Sequence, residues 1–222
     1  MGAKKSTRRE ALGTMAAAGA TVGVGWCCGD HVIGALEPAL DRSDGSGGAE
    51  PTTTRRSPLA VQVAPGLSIH PRSEWGDDLP PRGPIKGDDV RFLLIHHTAT
   101  DVAAHDPRRV IRSVYAFHTG TQKRWPDVAY HFFVAPDGSV WEGRAGSLDG
   151  PVEASATGGN QGFAQLVCLI GNHVTRPPTA AAQDSLVRVL AWLADRYRLG
   201  VHRSASATFV SRGSNRYPAG NT

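Results

Sequence analysis

The stretch Phe92-Leu93-Leu94-Ile95-His96-His97-Thr98-Ala99-Thr100 constrains this chain more than any other. An apolar run this short, bounded by turn signals, predicts a buried strand rather than a helix. The strand closes on two imidazoles followed by small hydroxyl residues. A strand end holds a side chain rigidly, and a neutral imidazole suits zinc. Half-exposed polar residues at a strand end give the same pattern. A zinc site with three protein ligands needs more than this pair supplies.

The chain has 222 residues, which fits one ordinary domain with extra segments. Its hydrophobic content of 40% supports a real core. The net charge is +4, and residues 1–10 carry +3 of it through Lys4, Lys5, Arg8 and Arg9 against Glu10. The remainder is close to neutral, so no nucleic-acid footprint is expected. Thr7-Arg8-Arg9-Glu10-Ala11-Leu12 resembles a twin-arginine signature, and a weakly apolar Ala- and Gly-rich core follows it to Val24. Residues 1–35 are therefore expected to be an export signal, with the mature protein secreted or held at the cell wall and without a membrane span. Cys27 and Cys28 follow the bulky Trp26, which does not suit lipid attachment. The third cysteine, Cys168, lies in an apolar run and reads as a small core residue.

Residues 36–66 mix charge with Gly, Ser, Pro and Thr and show no apolar period, so a disordered linker is expected. The domain is expected to span 67–222, with Ile69 and Trp75 as anchors. Asp106-Pro107 reads as an N-cap and first helical residue, with Val110, Val114 and Phe117 as the apolar face and Thr119-Gly120 as the stop. Tyr130 to Val134 reads as a strand, Pro136-Asp137-Gly138 as a hairpin turn and Ser139 to Glu142 as the partner strand. Residues 147–162 are small and polar, so they are expected to wrap a site rather than form core. Leu166 to Ile170 is the most apolar strand, and a central one is expected. Thr179 caps a helix from Ala180 to about Arg198, with Leu186, Leu190, Leu193 and Tyr197 facing the sheet. The fold class expected is α/β, a single domain with a central mixed β-sheet flanked by helices.

Five motifs in order complete the picture: Pro71-Arg72-Ser73-Glu74-Trp75-Gly76, Ile95-His96-His97-Thr98, Asp127-Val128-Ala129-Tyr130-His131-Phe132, Glu142-Gly143-Arg144 and Leu169-Ile170-Gly171-Asn172. As a set they resemble the peptidoglycan recognition proteins and the zinc-dependent N-acetylmuramoyl-L-alanine amidases related to phage T7 lysozyme. The resemblance implies peptidoglycan as the partner, a muramyl peptide as the ligand, a monomer, and hydrolysis of the amide between N-acetylmuramic acid and L-alanine. It implies Zn2+ held by two His and one Cys. His96 matches the first ligand. Tyr130 matches the catalytic tyrosine, whose phenol steadies the water or the developing oxyanion. His97, His118, His131 and Arg144 are the expected substrate-binding residues, with alternatives open for each: His97 lines the groove or bonds to a ligand, His118 caps or faces its helix, His131 orients substrate or is structural, and Arg144 pairs with a stem-peptide carboxylate or is a solvated charge.

The match departs at the C-terminus. The family's other two ligands lie in Gly-His-Arg-Asp and Cys-Pro-Gly segments after a last strand. Here His202-Arg203-Ser204 has no acid and no following Cys, and Thr208-Phe209-Val210-Ser211 leads only to Thr222. The domain is thus expected to be C-terminally incomplete. Three outcomes are open: a shortened amidase, a weaker site completed by His118, His131 or His202, or a module that binds peptidoglycan without cutting it.

Overall fold

The computed structural model describes residues 60–100, 106–158, 162–214 and 217–222. The expected export signal and residues 36–59 of the expected linker lie outside the described residues. The first strand, β1 (Val61–Ala64), falls inside the stretch read as linker and pairs antiparallel with β2 (Leu67–His70). The ordered domain therefore starts before Leu67. Val63 and Ala64 pack on the core while Val61 and Gln62 stay exposed, a short edge strand whose composition masks its period.

A one-turn helix, α1 (Ser73–Gly76), buries Trp75. Strand β3 (Phe92–His97) follows, then α2 (Pro107–Thr119), capped by the Asp106 carboxylate accepting the Arg108 N–H. The hairpin strands are β4 (Phe132–Val134) and β5 (Val140–Glu142). Strand β6 (Ala164–Leu169) precedes α3 (Ala180–Arg196), which starts where Thr179 Oγ1 accepts the Ala182 N–H. The sheet order is β1-β2-β5-β4-β6-β3. β2–β5, β4–β6 and β3–β6 are parallel, and β1–β2 and β4–β5 are antiparallel, so the sheet is mixed.

Every residue of β6 is buried because both faces of the sheet are covered. One face carries Trp75, Val110, Ile111, Val114 and Tyr115 of α1 and α2. The other carries Val189 and Leu193 of α3 against Phe132, Val167 and Leu169. The α3 stripe is centred on Ala182, Val189 and Leu193, with Leu186, Leu190 and Tyr197 half-buried at its borders. The α2 face likewise centres on Val110, Ile111 and Val114, and Phe117 sits outside it. The segment after Arg144 does more than wrap a site, since Ala154 and Ala156 enter the α2-side core.

The register lays one row of side chains across five strands. His70 pairs with Trp141, Trp141 with Phe133, Phe133 with Cys168, and Cys168 with His96. Paired residues of neighbouring strands share a face, and Trp141, Phe133 and Cys168 belong to the α2-side core. The row thus delivers His96 to that side, on the outermost strand of the sheet.

Candidate functional site

His96 is half-buried at the end of β3. Its ring stands 5.3 Å from that of Tyr130 at a 41° tilt. Burial pushes the imidazole down to about 4, with the Ala156 carbonyl acting in the opposite direction and His97 adding to the fall. His96 is therefore a neutral base or ligand near pH 7.

Tyr130 is buried and lies just before β4 rather than in it. Three rings fix it. His96 and His118 are each 5.3 Å away, and Phe133 meets it edge-on at 5.5 Å. The backbone beside it is also tied down, because the Ala129 N–H donates to His118 Nδ1 at 3.0 Å. His118 sits in the last turn of α2, buried between Trp125 at 4.8 Å and Tyr130. Its lone pair faces a backbone N–H, so His118 is not a spare zinc ligand here, and its visible role is to hold the chain leading into Tyr130. Burial lowers it to about 3, helped by Lys123, Arg144 and His96.

Three other expected site residues lie elsewhere. His97 follows the phase of Leu93 and Ile95, which pack on the α3 side, so it projects away from His96. Its Nδ1 accepts the His173 N–H at 2.9 Å, which ties the strand end to the following loop. His131 is fully buried. Its Nδ1 accepts the Leu166 N–H at 2.8 Å and its Nε2 donates to the Val152 carbonyl at 2.9 Å. No part of it is left to meet a substrate. Arg144 is 3% exposed and donates to the Glu153 and Val128 carbonyls and to Ser155 Oγ. It is a staple between two stretches of chain, not a loop cation offered to a carboxylate. Burial pushes its guanidinium down while Asp127 and Glu153 hold it up.

The motif around Arg72 is structural in the same way. Arg72 donates to the Gly143 carbonyl at 2.6 Å, to the Leu79 carbonyl at 2.7 Å and to the fully buried Asp127 at 3.0 Å. Asp127 also accepts the N–H groups of Val128 and Ala145. These contacts clamp the segment 125–130 against 142–145 and so set the height of Tyr130 above the sheet. Ala156 is the contributor that sequence reasoning missed. Its carbonyl acts through the backbone, and no side-chain pattern marks such a position.

The zinc expected from the resemblance can be tested on these donors. His96 has the right state, since burial keeps its imidazole neutral. Cys168, its register partner on β6, is a fully buried cysteine. Among the described residues, however, no three His, Cys, Asp or Glu side chains converge to hold a metal ion. A three-ligand centre does not fit the described residues. Asp101 and His105, close to His96 in sequence, lie outside them.

The sequence matches the N-acetylmuramoyl-L-alanine amidase family over residues 86–216. Peptidoglycan-recognition protein SD of Drosophila melanogaster is 31% identical over 159 residues, spanning 67% of this chain and 82% of that protein. The N-acetylmuramoyl-L-alanine amidase of Sus scrofa is 39% identical over 124 residues, 52% of this chain but 19% of that protein. The crystal structure of the Drosophila protein SD superposes with a TM-score of 0.51 at 26% identity, covering 60% of this chain and 78% of that one. Drosophila peptidoglycan recognition protein SA shares the fold, with a TM-score of 0.50 at 24% identity over 60% of this chain and 75% of that one. Among the described residues no helix is long and apolar enough to cross a membrane. Built on the recognition-protein fold and matched over most of its described length, this chain belongs to the N-acetylmuramoyl-L-alanine amidase family, alongside the peptidoglycan recognition proteins.

Proposed function

We propose that this chain binds the muramyl peptide of peptidoglycan at the rim formed by His96 and Tyr130, and that the described residues do so without a three-ligand zinc centre. The observation that carries this reading is a preserved pair beside an unfulfilled ligand set. His96 and Tyr130 face one another 5.3 Å apart, while among the described residues no metal-binding cluster stands around them. A neutral imidazole at a half-exposed rim, with a buried phenol beside it, can donate to and accept from the amides of a stem peptide. They are held by packing and backbone hydrogen bonds, so little order must be gained on binding.

Hydrolysis of the N-acetylmuramoyl–L-alanine amide is the second reading. It is favoured by His96, a half-buried imidazole at a strand end that burial keeps neutral, as a metal ligand must be. In that reading His96 is one ligand, Tyr130 steadies charge at the scissile carbonyl, and the remaining donors come from beyond the described residues. Bound zinc would supply an activated water and a polarised carbonyl.

One experiment separates the two. The full chain is purified, its zinc content measured, and its sedimentation with purified sacculi and release of stem peptide recorded, with His96→Ala and His105→Ala alongside. Cosedimentation lost in His96→Ala, with no zinc and no release, is the expected result. About one zinc per chain with peptide release favours hydrolysis. No cosedimentation of the wild-type chain overturns both. Export belongs to the same proposal: an Arg8→Lys, Arg9→Lys double variant is expected to stay in the cytoplasm of a twin-arginine-competent host.

A further inference from the structure

Three motifs of the sequence, at 71–76, 127–132 and 142–144, meet at one guanidinium. We propose that Arg72 is a positioning residue for Tyr130, acting through Asp127 and Gly143 to set where the phenol stands against His96. The Arg72 side chain is 12% exposed and lies against the rings of Trp75 at 4.6 Å and Tyr115 at 5.7 Å. A guanidinium so enclosed keeps one geometry, because its planar fork leaves little freedom once its bonds are made.

One branch of the fork reaches the chain ahead of Tyr130. Nη2 donates to Asp127 Oδ1 at 3.0 Å. The same oxygen accepts the Val128 N–H at 2.7 Å, and Oδ2 accepts the Ala145 N–H at 2.9 Å. Asp127 is fully buried, so its carboxylate depends on the cation that meets it. The other branch reaches the chain behind Tyr130. Nη1 donates to the Gly143 carbonyl at 2.6 Å. The Gly143 N–H donates to the His131 carbonyl at 2.7 Å, and the Arg144 N–H to the Tyr130 carbonyl at 2.9 Å. A Cβ on Gly143 would overlap the Tyr130 carbonyl and come within 2.8 Å of the Phe133 ring, so glycine alone admits this approach.

Tyr130 thus hangs between two anchors that one side chain holds. His96 does not share them. It stands on β3, which pairs with β6, whereas the Arg72 bonds run to Leu79, Asp127, Glu142 and Gly143. A change at Arg72 therefore moves the phenol relative to the imidazole instead of moving both. Fastening α1 to the domain is a separate task with its own residue. Arg112 does it, through the Trp75 carbonyl at 2.8 Å and a two-point pair with Asp78 at 2.6 and 2.8 Å.

The test uses NMR on the full-length chain with its tyrosine and histidine rings isotopically labelled. There are four tyrosines, and Tyr130→Phe assigns the signals of Tyr130. Those signals report the His96, His118 and Phe133 rings around it. Arg72→Lys keeps the charge but not the fork, so it is expected to shift the Tyr130 ring signals and to weaken the ring-to-ring NOE with His96. Arg112→Lys is expected to leave both in place. Asp127→Asn, close to the same shape, is expected to act as Arg72→Lys does and to secure the result should Arg72→Lys fold poorly. Unchanged Tyr130 signals in the folded variants overturn the proposal. Equal shifts in Arg112→Lys overturn it too, since they would mean general loosening around α1. A second arm rests on the peptidoglycan reading: muramyl-peptide affinity is expected to fall about five-fold in Arg72→Lys. Affinity held with the Tyr130 ring displaced would count against the ligand and not against the positioning role.

Discussion

His131 Nδ1 accepts the backbone N–H of Leu166 at 2.8 Å, so a side chain joins two neighbouring strands just where their ladder begins. The Nε2 of the same ring holds the Val152 carbonyl, which brings the loop over the sheet. Replacing His131 by Ala leaves the buried Leu166 N–H unpaired and a ring-sized void in a fully buried site. We expect a loss of about 3 kcal/mol in urea unfolding. A loss below about 0.5 kcal/mol would mean the ring is dispensable to the sheet.

The same geometry makes the domain acid-labile. His118 and His131 each accept a backbone N–H through Nδ1, which a protonated ring cannot do. Burial lowers both to about 3. The unfolded chain takes up these protons from about pH 6.5 downward while the native state refuses them, so stability is level above that pH and falls below it. Between about pH 7.5 and pH 5 the two rings together remove about 4 kcal/mol. Urea midpoints at about pH 7.5 and about pH 5 should differ accordingly, and His118→Gln or His131→Gln should flatten the difference. Equal midpoints in the parent would refute the assignment.

Arg144 makes a prediction of another kind. Its guanidinium bonds to three groups, the Glu153 carbonyl, the Val128 carbonyl and Ser155 Oγ. Arg144→Ala should cost about 3 kcal/mol and open residues 150–156 to amide exchange. Arg144→Lys should recover little, because an ammonium cannot span the same fork. If ligand affinity falls in Arg144→Lys with exchange unchanged, Arg144 contacts ligand after all.

The architecture was legible because both helix caps, the hairpin turn and the apolar strands agree locally with the fold. Asp106-Pro107 and Thr179 start α2 and α3 as their side-chain chemistry requires. The site was legible only in part. His96 and Tyr130 stand out as residue types at a strand end and beside a strand, and they do meet. Spacing says nothing about whether a polar residue is consumed internally, so His131 and Arg144 looked like surface chemistry and are instead cross-links of the core. A consecutive pair such as His96-His97 cannot share one face of a strand, and period-two alternation already separates them. The Asp88–Arg212 clasp is a tertiary fact, joining residues 124 positions apart that no local pattern connects.

That alternation yields the sharpest contrast. His96→Ala removes the ring facing Tyr130 and should weaken muramyl-peptide binding at least about ten-fold, the loss of a charge-free hydrogen bond plus the order it gives Tyr130. Its cost in stability should be small, since the ring is half-exposed. His97→Ala removes the acceptor for the His173 N–H on the α3 side. It should leave affinity within about two-fold while raising amide exchange at His173 and the residues after it. Titration calorimetry with a muramyl peptide and exchange mass spectrometry on both variants read the two effects separately. Should His97→Ala lose affinity as His96→Ala does, the ligand would have to span the strand edge and touch both faces of β3, and the rim would be wider than the His96–Tyr130 pair. The outer edge of β3, last in the sheet order among the described strands, would then be the surface to probe next, by placing a proline at Ile95 to block strand pairing there.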